Sequence, residues 1–372
     1  NFDTQGPAAV GSYASLGPNG TYDMAGNVRE WSFNRIGDLR YILGGAWSEP
    51  DYLYRSTDSA VPEHRGAING LRCMMTPQPP PEASLIAIDY EVEDHRQDTV
   101  IDDDLFAIVR QDYEYDDRDL DTEIESTDDG PEHWRHEVVS IRTAYGDERL
   151  PIHLYLPKGH EPPFQAVIYF PPSSALYLND SRHPSFPFAN FIPRSGRALI
   201  YPIFQGTYER QVDGGGPNDY RDHRIQLGKD LQRTIDYLET REDIDSEKLA
   251  YYGVSWGAFE GPLMTAIEPR LAASVLLAGG LRRYPEDWPP GSMPQNFAPR
   301  STVPTLMING RDDFGNPIET NIQPMFDLLG TPDEDKRLVV LEGGHVPASP
   351  NEVIREILDW LDRYLGPVGV SN

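Results

Sequence analysis

The apolar run Leu249-Ala-Tyr-Tyr252 passes at once into Gly253-Val254-Ser255-Trp256-Gly257, and a helix-compatible run from Ala258 to Ile267 follows. This is the pattern of a strand that turns sharply into a helix. Such a turn forces the serine backbone into a strained conformation, so the residues beside it must lack bulky Cβ substituents. Gly253 and Gly257 stand where that crowding falls. Ser255 is then expected to stand exposed at the C-terminal edge of a sheet. Its backbone opens a helix, where free N–H groups and the helix dipole favour a developing negative charge.

A serine hydroxyl is a poor nucleophile until a base takes its proton, and the base needs an orienting acid. Candidates for both roles lie downstream, each after a strand-like run. The run Pro304-Thr-Leu-Met-Ile-Asn-Gly310 leads into Arg311-Asp312-Asp313, where two aspartates compete for the acid. The run Arg337-Leu-Val-Val-Leu-Glu342 leads into Gly343-Gly344-His345, and two glycines allow a histidine loop to approach another segment closely. The remaining histidines lack that glycine-led setting.

In this order, Ser255, the aspartate pair and His345 resemble the α/β-hydrolase superfamily, and more narrowly its dienelactone-hydrolase, acetyl-xylan-esterase and prolyl-oligopeptidase-like branch. The resemblance runs from about His136 to Gly366. It implies an α/β fold, a mostly parallel sheet with helices on both faces, and a catalytic triad of Ser255, Asp313 and His345. Asp313 is preferred because it closes a Gly-x-x-Asp turn from Gly310, which leaves Asp312 as a solvated or capping residue. An oxyanion hole also belongs to such a site. Its first donor is expected to be the N–H of Trp256. The second comes from the loop Phe170-Pro171-Pro172-Ser173-Ser174, where proline has no N–H and Ser173 is the nearest candidate; a helix N-cap is the structural role open to the same residue. No cofactor and no metal enter this chemistry.

An α/β-hydrolase uses roughly 230 to 270 residues, so a chain of 372 has room for something else in its N-terminal part. The net charge of −28 argues against nucleic acid or an anionic membrane surface as partner. Lys158, Lys229, Lys248 and Lys336 are the only lysines. An acidic, lysine-poor surface is found on salt-adapted proteins and on ordinary acidic cytosolic ones alike. The single cysteine, Cys73, permits no intrachain disulfide, and no apolar run reaches membrane-spanning length, which together point to the cytoplasm. The chain opens without methionine, in what reads as the middle of a domain, as a fragment of a longer protein would.

Residues 1–75 are rich in glycine, aromatics and polar turns, Gly17-Pro18-Asn19-Gly20 among them. Tyr22-Asp-Met-Ala-Gly-Asn27-Val-Arg-Glu30-Trp31, Arg40-Tyr-Ile-Leu-Gly-Gly-Ala-Trp47 and Asn69-Gly-Leu-Arg-Cys73, in this order, resemble the C-terminal part of the formylglycine-generating-enzyme (sulfatase-modifying factor) domain. That family's oxidase chemistry needs a pair of cysteines, and the segment from Tyr52 to Arg65 has none. One soft ligand cannot build a copper–thiolate site, so residues 1–75 are expected to be catalytically inactive, with Trp31 and Trp47 in the core. The resemblance also implies a structural calcium, to which Asn27 and Glu30 could give oxygens.

Residues 76–82 form a proline-rich linker, and 83–135 an acidic connecting segment with one amphipathic helix from about Asp102 to Tyr113. From 136 to 368 the pattern is that of an α/β domain. His136 to Tyr145 and Leu150 to Leu156 read as antiparallel strands joined by Gly146-Asp147. Gln165 to Phe170, Ala198 to Phe204, Leu249 to Val254, Ala273 to Leu277, Thr305 to Gly310 and Leu338 to Leu341 follow as short apolar strands. Ile225 to Thr240, Glu319 to Leu329 and Asn351 to Leu365 read as helices. The proline-rich stretch from Leu281 to Arg300 is a candidate lid or pocket wall. Gly206 to Arg210 and Gly214-Gly215-Gly216 could line the cleft; the glycine run is taken to open no helix.

Three functions compete on this reading. The first is a serine carboxylic-ester hydrolase for small to medium acyl esters, whose partner is a small-molecule ester. The second is a prolyl-oligopeptidase-like peptidase, and the third a binding module whose hydrolase fold has lost activity.

Overall fold

Strands that are apolar along their whole length need cover on both faces, and the chain supplies helices to provide it. The structure, a computed structural model, describes all residues except 3, 5, 14, 15, 18, 19, 50–53, 55, 56, 76, 88–92, 183, 185, 213–215, 285–287, 314 and 369–372. Pro18 and Asn19 of the expected Gly17–Gly20 turn therefore lie outside the described residues. The chain forms two compact units. The first contains residues 1–93 together with 309–318 and 340–349, and the second contains 94–308, 319–339 and 350–372.

In the first unit, β1 (Arg29–Ile36), β2 (Leu39–Leu43), β3 (Asp58–Ala60) and β4 (Asn69–Gly70) make a small sheet in the order β3-β2-β1-β4. β1 pairs antiparallel with β2 and parallel with β4. Tyr41, Ile42 and Ala46 supply buried apolar surface, while Trp31 and Trp47 are half-buried. The Asn27 side chain turns inward, its Oδ1 accepting from Ala8 N at 2.7 Å and Asn1 Nδ2 at 3.2 Å. Glu30 instead receives the guanidinium of Arg72 at 2.8 and 2.9 Å. Both oxygens that could have served calcium thus have protein donors. Among the described residues no group of three His, Cys, Asp or Glu is arranged to hold a metal ion. Cys73 is exposed.

The second unit begins with α1 (Asp103–Gln111), whose Asp102 N-cap accepts from Leu105 N at 2.9 Å. A nine-stranded sheet follows, in which 309–310 of β12 and 340–341 of β13 are counted with the first unit: β5 (Glu123–Asp128), β6 (Trp134–Arg142), β7 (Arg149–Pro157), β8 (Phe164–Phe170), β9 (Ala198–Pro202), β10 (Ile244–Val254), β11 (Leu271–Leu277), β12 (Thr305–Gly310) and β13 (Lys336–Leu341). Its order is β13-β12-β11-β10-β8-β9-β7-β6-β5. The core strands β9, β8, β10, β11 and β12 pair parallel, whereas β5, β6 and β7 are antiparallel and carry the sheet to its β5 edge. Every residue of β8, β9 and β12 is buried, Gln165, Thr305 and Asn309 included, as strands covered on both faces require. β5 was not expected, and all six of its residues are exposed.

Three long helices cover this sheet. α2 (Phe191–Arg194) is a single turn, and α3 (Pro217–Glu239) packs on β9 and β10. α4 (Trp256–Ile267) packs on β10 and β11; α5 (Gln323–Leu328) is short; α6 (Pro350–Leu365) returns to β10 and β11. α6 buries Val353, Ile357, Trp360, Leu361 and Leu365, one helical stripe. Two expectations are corrected here. α3 starts at Pro217 rather than Ile225, and its N-cap is Gly216, so the last glycine of that run does open a helix, while Gly214 and Gly215 lie outside the described residues. Pro217 at the first helical position and the Asp219 carboxylate reaching back to Gly216 N at 2.7 Å explain the earlier start. Of the stretch from 281 to 300, residues 285–287 lie outside the described residues and the second half is packed into the unit. Gly291, Ser292 and residues 294–298 are buried, and Phe297 packs edge-on against Phe106 and Tyr113, with ring centroids at 5.4 and 5.5 Å.

Candidate active site

Ser255 joins β10 to α4 at φ 51° and ψ −107°. Non-glycine residues avoid this region, at a cost of about 1–3 kcal/mol, and keep to it only where the surroundings over-determine it. Here Ser255 N donates to Leu277 O of β11 at 2.8 Å, and Ser255 O accepts from Phe259 N at 2.9 Å. A Cβ added to Gly253 would fall 2.3 Å from Gly257 O, and one added to Gly257 would fall 2.5 Å from Phe170 O. The two glycines are therefore demanded by backbone contacts. Ser255 is only 4 % exposed, so the expected exposed position is corrected. It sits within a continuous buried run from Leu249 to Thr265.

β8 lies beside β10 in parallel register, with Phe170 opposite Gly253, and Gly257 N donates to Pro171 O at 3.3 Å. The loop after β8 is thereby held to the elbow. Trp256 is the first residue of α4, where helix geometry leaves N–H groups without an intrahelical acceptor. Ser173 opens a 3-10 turn, Ser173–Tyr177, whose N-cap is Pro172, so the N-cap role does not fall to Ser173. The Trp256 indole stands edge-on to Phe170 at 4.8 Å and lies 6.3 Å from the His223 ring. Its Nε1–H donates to Glu260 Oε1 at 3.2 Å.

Glu260 in turn receives Arg224 Nε and Nη2 at 3.1 and 2.9 Å, and Arg224 lies over the rings of Tyr220 and Tyr284 at 4.9 and 5.0 Å. This pair is buried on both sides. His223 donates Nε2–H to Gln205 O at 2.7 Å, and burial pulls its pKa below the ordinary imidazole value despite that bond. A second buried pair fixes the turn after β9. Asp230 Oδ2 receives Arg210 Nη1 at 2.6 Å and Gln205 N at 2.9 Å, while its Oδ1 receives Tyr145 O–H at 2.8 Å. Burial raises the Asp230 pKa, and Arg210 opposes that rise.

Asp313 and His345 both belong to the first unit. His345 Nδ1 and Asp313 Oδ2 are 2.7 Å apart, which places the imidazole N–H on the carboxylate. Asp313 is 6 % exposed, and its Oδ1 accepts from Gly315 N at 3.2 Å and Asn316 N at 3.1 Å. Asn316 Nδ2 donates to the other oxygen at 3.2 Å. Burial alone would raise the Asp313 pKa, but the His345 charge and these hydrogen bonds hold it below the ordinary carboxylate value. Asp312 behaves oppositely: burial and the nearby Glu342 carboxylate push its pKa up. The loops are laced together by Arg311 N to Leu341 O at 2.8 Å and Asp312 N to Gly343 O at 2.9 Å.

Ser255, Trp256 and Ser173 lie in the second unit. Asn316, Glu260 and Arg224 went unnoticed in the sequence, and His223 was set aside there with the histidines that lack a glycine-led setting. Only Glu260 left a signal there, as the single charged residue of the apolar α4.

No family model matches the chain, and no curated protein does. Solved structures share its fold. The acetyl xylan esterase 1 of a Thermoanaerobacterium species superposes with a TM-score of 0.56 at 16% identity, over 72% of this chain and 96% of that one. The acetyl xylan esterase of a Paenibacillus species gives 0.52 at 19%, over 71% and 93%. The glucuronoyl esterase of Solibacter usitatus gives 0.50 at 15%, over 75% and 99%. The chain thus has an α/β-hydrolase fold.

Proposed function

We propose that the chain is a serine carboxylic-ester hydrolase acting on small to medium acyl esters. The observation that carries this reading is the strained Ser255 backbone between β10 and α4, crowded so closely that Gly253 and Gly257 admit no side chain. Strain of this kind persists where a nucleophile must be held in one position. The bond between Asp313 and His345 supports it, since a base must be held in one tautomer to take a serine proton. The esterases among the structures with this fold favour ester over amide substrates.

On this reading Ser255 Oγ attacks the ester carbonyl while His345 removes its proton. Asp313 keeps the imidazole oriented and stabilises its cation. The N–H groups of Trp256 and Ser173 bind the oxyanion, and the alcohol leaves with the proton from His345. Water, activated by the same imidazole, then releases the acid and restores Ser255. Trp256, held by Phe170 and Glu260, we read as the side chain that would narrow the acyl pocket if its ring points inward. Residues 1–75 we read as an inactive relative of the formylglycine-generating domain, because Cys73 is alone.

Hydrolysis of p-nitrophenyl esters from acetate to decanoate tests the reading. Ser255→Ala should lower kcat by about 10³-fold or more, and Asp313→Asn by about 10⁴-fold. Equal rates for wild type and Ser255→Ala would refute it.

A further inference from the structure

The segment that carries His345 is backed by the N-terminal part of the chain. Within the first unit, Gly344 is pressed from two sides. On one side is the end of β12, where a Cβ on Gly310 would fall 1.7 Å from Gly344 O and 2.6 Å from Gly343 O. On the other is Asp58, the first residue of β3: a Cβ on Gly344 would fall 2.4 Å from Asp58 Oδ1, 2.7 Å from Cγ and 3.0 Å from Oδ2. The three atoms such a Cβ would meet first, its chain neighbours aside, all belong to one carboxylate.

That carboxylate is itself fixed. Asp58 is 8 % exposed and ion-paired with Arg29 of β1, and Arg29 Nε also donates to Glu49 Oε2 at 2.9 Å. Ser59 N donates to Asp58 Oδ1 at 3.2 Å. A buried carboxylate so bound does not yield to a neighbour, so the peptide preceding His345 has one place to lie. His345 follows immediately and must meet Asp313 at 2.7 Å.

We propose that Asp58, set by Arg29, is a positioning residue for His345, and that the N-terminal segment thereby serves the ester-hydrolysing site. The proposal rests on the reading of His345 as the base. Asp58 touches no reacting atom; it acts through the Gly344 peptide by fixing where the imidazole can reach.

The test is kcat, KM and the pH profile for p-nitrophenyl acetate in the full chain, with rates taken per active site titrated by a fluorophosphonate. Gly344→Ala should lower kcat by about 100-fold with KM within about twofold, since a misplacement of about 1 Å has that effect. Asp58→Ala should lower kcat about tenfold, and the isosteric Asp58→Asn, which keeps the side-chain volume but gives up the ion pair with Arg29, should lower it about threefold. In the double variant Gly344→Ala/Asp58→Ala the new methyl no longer meets the carboxylate, so kcat should recover about tenfold over Gly344→Ala alone. Loss of a merely stabilising residue gives no such recovery.

A double variant no faster than Gly344→Ala, or an Asp58→Ala enzyme with wild-type kcat and pH profile, overturns the proposal while leaving the esterase reading intact. A Ser255→Ala chain as active as wild type removes both. If Asp58→Ala fails to fold, Arg29→Lys decides: it loosens the carboxylate without opening a cavity, and kcat should fall about threefold at constant KM. An unchanged kcat there overturns the proposal equally.

Discussion

At Ser255 position and stability pull in opposite directions. Its φ of 51° is one that glycine adopts freely. Ser255→Gly should therefore abolish ester hydrolysis yet raise the unfolding free energy by about 1 kcal/mol, read as a higher urea midpoint. Two further residues set the acid response. The Asp313 pKa is lowered in the folded chain, so its contribution to stability is complete above the unfolded value of about 3.9 and is lost as pH falls through the lower folded value. His223, half-buried, also has a pKa lowered by desolvation. The unfolded chain then binds the extra proton first, and stability declines as pH drops below about 6.5. Thermal melts of His223→Gln from about pH 7 to about pH 5 should show a shallower decline than wild type. A curve as steep as wild type would assign that slope to other groups.

At the scale of elements, α3 and α4 are tied by the buried pair of Arg224 and Glu260. Glu260→Ala leaves a buried guanidinium unmatched and should cost about 3–5 kcal/mol. Replacing both at once, Arg224→Met with Glu260→Leu, should cost less than Glu260→Ala alone, measured by urea unfolding. The elements themselves were legible to different degrees for physical reasons. β8 and β12 are mostly apolar runs bounded by glycine or proline, and the expected and observed bounds agree within one residue. The apolar character of α4 likewise marked its place after Ser255. β5 escaped because Glu-Ile-Glu-Ser-Thr-Asp pairs through its backbone and buries no side chain, so no hydrophobic period betrays it. The first two turns of α3 escaped because Gly216 and Pro217 look like loop residues until the cap is seen. The family resemblance preferred Asp313 over Asp312, and Asp313 is hydrogen-bonded to His345. The supports of that pair, Asn316 and Asp58, contribute through distances that local pattern does not encode.

The whole molecule carries a net charge of −28. Self-repulsion of that size weakens a compact state at low salt, and raising ionic strength from about 0.1 M to about 1 M shortens the screening length from about 10 Å to about 3 Å. The melting temperature should rise over that range, whereas the buried pairs Arg224–Glu260 and Arg210–Asp230 are shielded from solvent ions and should add little to the change. A melting temperature flat in salt would mean that the surface charges are already compensated locally. The outer position of β5 gives the same screening a second effect. A sheet that ends in a fully exposed strand offers its free backbone groups as a template for another chain, and on this strand Glu123, Glu125 and Asp128 are the groups that turn a second copy away. Salt that steadies each folded chain also silences those guards. Edge-to-edge aggregation, followed by light scattering, should therefore set in at lower salt for Glu123→Gln/Glu125→Gln/Asp128→Asn than for wild type, and a proline at Ile124 should suppress it.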